Sequence, residues 1–375
     1  MTAAAGSARL LPAGDAATRL GDYELVLELA TGETTVMLAR KTGPRSFARW
    51  ATVRYVGPFV GDQSAALERI DHDVKRASFV RHPCVLPIHE SGFFGNGRYI
   101  ISDYVEGATL SEIIAGGPLP PDLVAAIAGD VLAGLRAVHI AEDDRGRALG
   151  LAHGRLSPAC VVVGLDGRAR LAELGLAAAP RAHRCGGPGT ETFHYEAPEV
   201  LGGAPPSPCT DVYSMGVVLY EVLLGQHPYG HARDAGAARA AAQSAAPLLS
   251  IRAPSVGDDL ARVVARAMSP DPTDRYPDVE ALSAALEGAA RAASARDVGA
   301  FVSLRAGDRV EHRRLLSSAW LTTQDGPTRG PSALERALSR ATSWLRRRPT
   351  MATLLLVLLL IALGVGVGAV AVRLG

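Results

Sequence analysis

His153-Gly154-Arg155-Leu156-Ser157-Pro158-Ala159-Cys160 lies near the middle of the chain. It holds an imidazole, a guanidinium and a thiol, but no carboxylate. A guanidinium is permanently charged and cannot act as a base near neutral pH. A thiol is a poor ligand for a hard cation, which takes oxygen. Other marked segments stand on either side in a fixed order. Tyr99 to Gly107 (YIISDYVEG) and Glu142 to Gly150 (EDDRGRALG) precede it. Glu173-Leu174-Gly175, Ala197-Pro198-Glu199, Asp211 through Glu221 and Arg275 in DPTDRYPDVEAL follow it.

Taken in this order and spacing, the segments resemble the bacterial eukaryotic-like Ser/Thr protein kinases over residues 20–290. The resemblance implies an α+β, two-lobed fold, with an N-lobe over 20–106 and a C-lobe over 107–290. Residues 1–19 are expected to lie outside it without order. Tyr99 to Gly107 would be the last N-lobe strand and the hinge. Glu142 to Gly150 resembles an insertion common in those relatives. His153 to Cys160 takes the place of the catalytic loop H-R-D-x-x-x-x-N. Those relatives often carry Ser where Ser157 stands. Asp211 to Glu221 resembles the buried central helix, and Arg275 the partner of Glu199.

Against that pattern the chemical positions are altered. Arg155 replaces the Asp that accepts the substrate hydroxyl's proton, and Cys160 replaces the Asn that holds magnesium. The glycine-rich loop over the phosphates reads Ala30-Thr31-Gly32-Glu33-Thr34-Thr35-Val36, where Gly32 alone matches. Glycines there let the backbone approach phosphate without a Cβ. Arg54 stands at the strand lysine of V-A-I-K. The chain's two lysines, Lys41 and Lys75, fall elsewhere. Asp73 stands at the helix Glu that would pair with that lysine, and it is one methylene short. Glu173 replaces the Asp of D-F-G and is one methylene long.

The positions that build the fold are kept: His153, Pro158, Gly175, Ala197-Pro198-Glu199, Asp211 and Arg275. Random decay would damage both sets, whereas a scaffold freed from catalysis loses mainly the chemical one. The leading reading is a pseudokinase acting as a signalling scaffold or regulator, with no catalytic position intact at Arg54, Asp73, Arg155, Cys160 or Glu173. The second is an active but unusual Ser/Thr kinase, with Arg54 or Glu173 in adapted roles. The third is a nucleotide sensor without phosphotransfer. By resemblance, Val36, Thr52 and Val162 would face an adenine, Ser102 would guard the pocket and the Val105 backbone would meet the base. Neither ATP nor magnesium is expected as a working cofactor in the first reading; ATP alone returns in the third. Thr190 and Thr192 precede Ala197, and the sequence leaves their phosphorylation open.

Charge is uneven along the chain, although the net is +1. From Arg291 to Arg348 twelve arginines face five acids, while Met1 to Ala290 carries an excess of seven acids. The 291–349 stretch therefore reads as a basic juxtamembrane linker, either meeting an anionic surface or simply solvated. Met351 to Val372 (MATLLLVLLLIALGVGVGAVAV) has no charge. At about 1.5 Å per residue, such a helix spans the roughly 30 Å of a bilayer core. A single transmembrane helix is expected over 350–372. Arg346-Arg347-Arg348 flank it on one side and Arg373 on the other, so the kinase-like part is expected in the cytoplasm at the inner membrane. Met1 to Leu20 lacks an apolar core, so no leader is expected, and no sensor beyond the membrane. Gly364 and Gly368 have small-xxx-small spacing, suited to homo- or hetero-dimerisation. Another kinase or signalling protein is the expected partner, and no nucleic acid.

Gln324 to Pro331 is a turn-rich break, and Ser332 to Leu345 reads as an amphipathic helix on the membrane or on the C-lobe. Ala300 to Trp320 resembles a helix that follows the kinase domain in some relatives. Cys84, Cys160, Cys185 and Cys209 show no CxxC spacing and are expected to be reduced. His183, Cys185, His194 and Cys209 match no zinc spacing, so no metal site is expected. Elsewhere the pattern predicts a hairpin over Tyr23–Arg40, a strand over Trp50–Val56 and a helix over Gln63–Val80. Two further strands are expected within Val85–Tyr104. Helices follow at Leu119–Ala141, Ser207–Leu224, Val256–Met268 and Asp278–Ala293.

Overall fold

The computed structural model describes residues 9–10, 19–31, 34–43, 48–57, 64–95, 97–177, 192–230, 232, 234–244 and 249–325. Short strands β1 (Arg9–Leu10) and β2 (Arg19–Leu20) pair with β3 (Tyr23–Thr31). β3, β4 (Thr34–Thr42) and β5 (Ala48–Val56) are antiparallel neighbours. β6 (Ile88–Phe94) and β7 (Gly97–Asp103) complete a seven-stranded sheet, with β7 between β5 and β6. Successive side chains of a strand point to opposite faces. Ala51 and Val53 of β5 are thus buried with Tyr23, Leu25, Ala39 and Ile101. Thr52 and Arg54 face the other way, into a cleft.

Helix α1 (Ser64–Ala77) lays Ile70 and Val74 against Val56, Ile100 and Leu176. That cluster joins the sheet to the segment after Glu173. Beyond the hinge, β8 (Gly107–Thr109), β9 (Val161–Gly164) and β10 (Ala169–Leu171) form a second sheet in the order β10-β9-β8. α2 (Leu110–Ile114) follows β8, and α3 (Pro121–His139) runs through the core. α4 (Pro198–Leu201) starts at Ala197-Pro198-Glu199.

α5 (Pro208–Leu224) is apolar nearly all round because it is buried nearly all round. Ser207 caps its start and Gly225, at φ +74°, ends it. α6 (Ala235–Ala242), α7 (Leu249–Arg252), α8 (Asp258–Ala267) and α9 (Val279–Ala289) complete the helical lobe.

The 291–349 stretch expected as a linker is, in its first half, a 31-residue helix, α10 (Ala295–Asp325). Val298, Val302 and Ala306 on one face belong to the main core. Residues up to Trp320 form one compact unit, so the domain does not end at 290. Burial of that apolar face outweighs the exposure of the arginines, which find acceptors on the lobe. Gly299 permits the close fit, since a Cβ there would lie 2.4 Å from the Leu165 carbonyl oxygen.

Among the described residues no helix is long and apolar enough to cross a membrane. The expected transmembrane helix over 350–372, with Gly364 and Gly368, and the expected helix at Ser332–Leu345 lie outside the described residues.

Candidate functional site

A cleft of about 550 Å³ opens between the large sheet and the β8–β9 edge of the helical lobe. Val36, Thr52, Ser102, Val105 and Val162 line it together. β5–β7 pairing sets Thr52 opposite Ser102. The Thr52 hydroxyl donates to the Asp103 carbonyl at 3.4 Å. An apolar slot with a few polar edges suits a flat heteroaromatic ring. Gly32, expected at the phosphate-covering turn, lies outside the described residues.

The deep polar end of the cleft is arranged differently from the expected pattern. Arg54 extends from β5 and forms an ion pair with Glu173 at 2.8 Å. It also donates to the Thr34 hydroxyl at 2.6 Å. Asp73, the position expected opposite Arg54, instead bonds within its own helix, to Arg76 and His72 at 3.4 Å each. Glu173 stands at φ +64°, in the left-handed region. An L residue adopts that conformation at a cost of about 1–2 kcal/mol. The ion pair opposes that cost.

Burial of Glu173 works to raise its carboxyl pKa, but the Arg54 and Arg155 guanidinium groups and His153 outweigh it and hold the pKa below its ordinary value. The turn that follows is pressed against α1. Gly175, at φ +86°, leaves no room for a side chain, because a Cβ would lie 2.8 Å from Val74 Cα.

Arg155 and Cys160 are both buried. Cys160 Sγ donates to the Arg155 carbonyl at 3.1 Å and lies 3.4 Å from the Ser157 hydroxyl. Burial raises its thiol pKa far beyond the ordinary range, so it is a neutral thiol. The residues present therefore do not fit a magnesium ion. One oxygen donor has become a protonated sulfur facing a carbonyl. The carboxylate that remains is engaged by one permanent cation and held near a second.

Next to this altered end lies an intact one. Asp211, fully buried at the first turn of α5, accepts from the backbone N–H groups of His153 and Gly154 at 2.8 Å each. It also pairs with His139 Nε2 at 2.8 Å. His153 Nε2 bonds the Ala172 carbonyl at 2.9 Å, and its Nδ1 accepts from Arg155 N–H at 3.4 Å. The loop is thus strung between α5 and the residue before Glu173.

Farther away, Arg275 brackets Glu199 with two bonds of 2.6 and 2.9 Å. It also donates to the Ser269 and Pro270 carbonyls at 2.8 and 3.0 Å. Its side chain is fully buried, and its guanidinium lies over the Tyr213 ring at 4.9 Å.

Three residues at the cleft escaped the sequence reading. Thr34, partner of Arg54, stood in the sequence only as part of the altered glycine-rich stretch. Tyr195 lines the cleft and donates to Glu221 of α5 at 2.7 Å. Burial and the neighbouring Glu221 carboxylate raise the Tyr195 pKa well above its ordinary value, so it is a phenol. Arg313 of α10 lines the cleft too, although it stands 201 residues after Glu112 of α2. Of the four residues weighed as a zinc group, His194 bonds the Ala232 carbonyl and Cys209 lies near the Pro272 carbonyl. His183 and Cys185 lie outside the described residues.

Comparison with known proteins places this geometry. Residues 61–285 match the family model described as protein kinase domain. The serine/threonine-protein kinase PknL of Mycobacterium tuberculosis is 30% identical over 235 residues, covering 62% of this chain and 57% of PknL. The tyrosine-protein kinase MasK of Myxococcus xanthus is 28% identical over 323 residues, covering 82% of this chain and 50% of MasK. The chain thus spans about half the length of these curated relatives. A crystal structure of the M. tuberculosis PknI kinase domain, in a single-site mutant form, superposes with a TM-score of 0.57 at 25% identity. The match covers 73% of this chain and 98% of that one.

Proposed function

Because the chain belongs to the protein kinase domain family, we propose that it is a member that acts by binding and not by phosphoryl transfer. The observation that carries this reading is the Arg54–Glu173 ion pair at 2.8 Å. Kinase catalysis is largely positioning plus electrostatic stabilisation by metal ions, a lysine and a catalytic Asp. Here the carboxylate at the D-F-G position is neutralised by a guanidinium from the lysine position. A second guanidinium, Arg155, occupies the position of the base, where it can accept no proton. His153 and Cys160 of the loop are directed to the lobe's own backbone carbonyls.

In this reading the domain presents a kinase-shaped surface to another kinase or signalling protein. The apolar run 351–372 tethers it to the inner membrane with the domain in the cytoplasm. Gly364 and Gly368 supply a helix-pairing face. The full chain in detergent micelles, given radiolabelled ATP with magnesium or manganese, is expected to label neither itself nor a generic protein substrate. Turnover on the order of 1 per second would sink the proposal. Protease accessibility in sealed inverted vesicles tests the orientation: the domain should be digested without detergent.

A second reading is favoured by the preserved slot of Val36, Thr52, Ser102, Val105 and Val162. It is nucleotide binding without metal, with adenine held by apolar contact. A rise in melting temperature with ADP in excess chelator supports it, and no shift at millimolar ADP removes it.

A further inference from the structure

Helix α10 lies beyond residue 285, where the family match ends, yet one of its side chains lines the cleft. Arg305, Arg309 and Arg313 are spaced by four residues and so share one face of the helix. Two of them grip the same segment. Arg305 donates to the Gly116 carbonyl just past the end of α2. Arg313 donates to the Gly107 carbonyl at 3.1 Å and to the Glu112 carboxylate. The other oxygen of Glu112 accepts from Thr109 N–H at 2.9 Å, closing the capping box of α2. Arg314 reaches Glu106 at the hinge and lowers its carboxyl pKa by hydrogen bonding.

The segment 107–116 is therefore held at both ends and in the middle. Gly107, Ala108, Thr109, Ser111 and Glu112 within it form a wall of the cleft. α2 has five residues, far too few to persist as a helix by itself. Its order must come from what packs on it.

We propose that α10 is a strap that fixes this wall, so that docking of α10 and occupancy of the cleft are coupled. Releasing α10 slackens Gly107–Gly116, and a ligand that orders the wall tightens α10; the two effects are equal by linkage. The residues after α10 in sequence carry the arginine triplet and the apolar run. A restraint acting on that segment would reach the cleft through the strap. This inference does not depend on whether the cleft takes a nucleotide or on the absence of phosphotransfer.

The test is amide hydrogen exchange on the full chain in micelles, following 107–116, α10 and, as a control, α5. Two variants release the strap by different routes. Arg305→Ala with Arg313→Ala removes the grips. Gly299→Leu forces a side chain against the Leu165 carbonyl and lifts the helix while leaving every arginine in place. Charge-assisted bonds are strong enough that either variant should speed exchange about tenfold or more in both α10 and 107–116. α5 should be unchanged.

Faster exchange in α10 with 107–116 held within about twofold of wild type, in either variant, overturns the coupling. So does an α10 that stays protected in both variants. Metal-free ADP gives the reciprocal arm: if it protects the cleft wall, it must also slow exchange in α10. Protection of the wall without any response in α10 overturns the proposal, and if ADP does not bind, the variants decide it.

Discussion

Two polar clusters lie about one loop apart and satisfy their charges in opposite ways. Around Asp211, a buried carboxylate binds the backbone of the His153 loop and a histidine from α3. Around Glu173, a largely buried carboxylate binds Arg54 and lies within the field of Arg155. The first cluster holds segments of chain together, so any change in it loosens the lobe. The second holds side chains to one another across a space that a cofactor would use. A buried charge must be paired wherever it sits. Here Arg54 is the internal counter-ion of Glu173, and Arg155 adds a second positive charge nearby. Loss of chemistry need not leave a vacant site; it can leave one closed on itself.

The comparison breaks first if the fold-holding side is weak. Arg275→Ala removes a bidentate partner of Glu199 and two carbonyl contacts from a fully buried side chain. Loss of one partner of a buried pair costs about 3–5 kcal/mol. Urea unfolding of the full chain in micelles should show it, and a midpoint close to wild type would mean that the pair is not structural. Asp211→Asn comes next. Its amide keeps one acceptor oxygen but turns the other into an NH2, which faces either the Gly154 N–H or the His153 N–H and His139. We expect a loss of about 2–3 kcal/mol, with faster exchange of the His153–Cys160 backbone. A loss confined to α5, with the loop unaffected, would detach Asp211 from the loop.

Glu173→Gln probes the other cluster and should cost less, about 1–2 kcal/mol, because the amide oxygen still accepts from Arg54. Its pH dependence is the sharper readout. The folded carboxyl pKa lies below its ordinary value of 4.5. Its stabilisation is therefore complete above that value and is lost as the pH falls through the lower folded one. Wild type should exceed Glu173→Gln in melting temperature at neutral pH, and the gap should close on acidification below about pH 4.5. A gap that widens in acid would give the carboxyl a raised pKa and contradict its pairing with the arginines.

The sequence carried the Asp211 side of this comparison well and the Glu173 side only in part. Ala197-Pro198-Glu199 and Arg275 sit 76 residues apart, and no local pattern joins them. Family spacing joined them because both positions serve the fold. Identity at Arg54, Asp73 and Glu173 could be read, but not the choice of partner. Arg54 meets Glu173 while Asp73 stays with its own helix, a choice that depends on side-chain length and on a left-handed backbone at Glu173.

Long helices were legible from period and caps: Ser207–Leu224 was expected and α5 is Pro208–Leu224. β8, β9, β10 and α2 were missed. They are three to five residues long and take their order from neighbours far away in the chain. A helix over Ala300 to Trp320 was legible by resemblance and lies within α10, but its docking was not. The arginine count suggested a linker, whereas Gly107, Glu112 and Gly116 receive those arginines, and composition cannot show an acceptor 201 residues upstream.

The smallest expected effect is no effect. Arg155→Asp with Cys160→Asn restores the residue types that the family uses at both loop positions. If loss of chemistry resided in the loop alone, phosphotransfer should reappear. The geometry argues otherwise. Glu173 would still be engaged by Arg54 at the cleft's deep end. The new Asp would bring a second carboxylate into a buried region that Arg155 now neutralises, and like charges held close disfavour ionisation of both. The pair of changes therefore supplies a base that tends to stay protonated and a metal ligand whose partner is occupied. Catalytic groups that act as a unit do not return activity one at a time. We expect labelling from ATP indistinguishable from that of the unmodified chain. Transfer on the order of 1 per second in this double variant would show that the Arg54–Glu173 pair opens readily for metal. The cleft would then be a site in waiting and not one closed on itself.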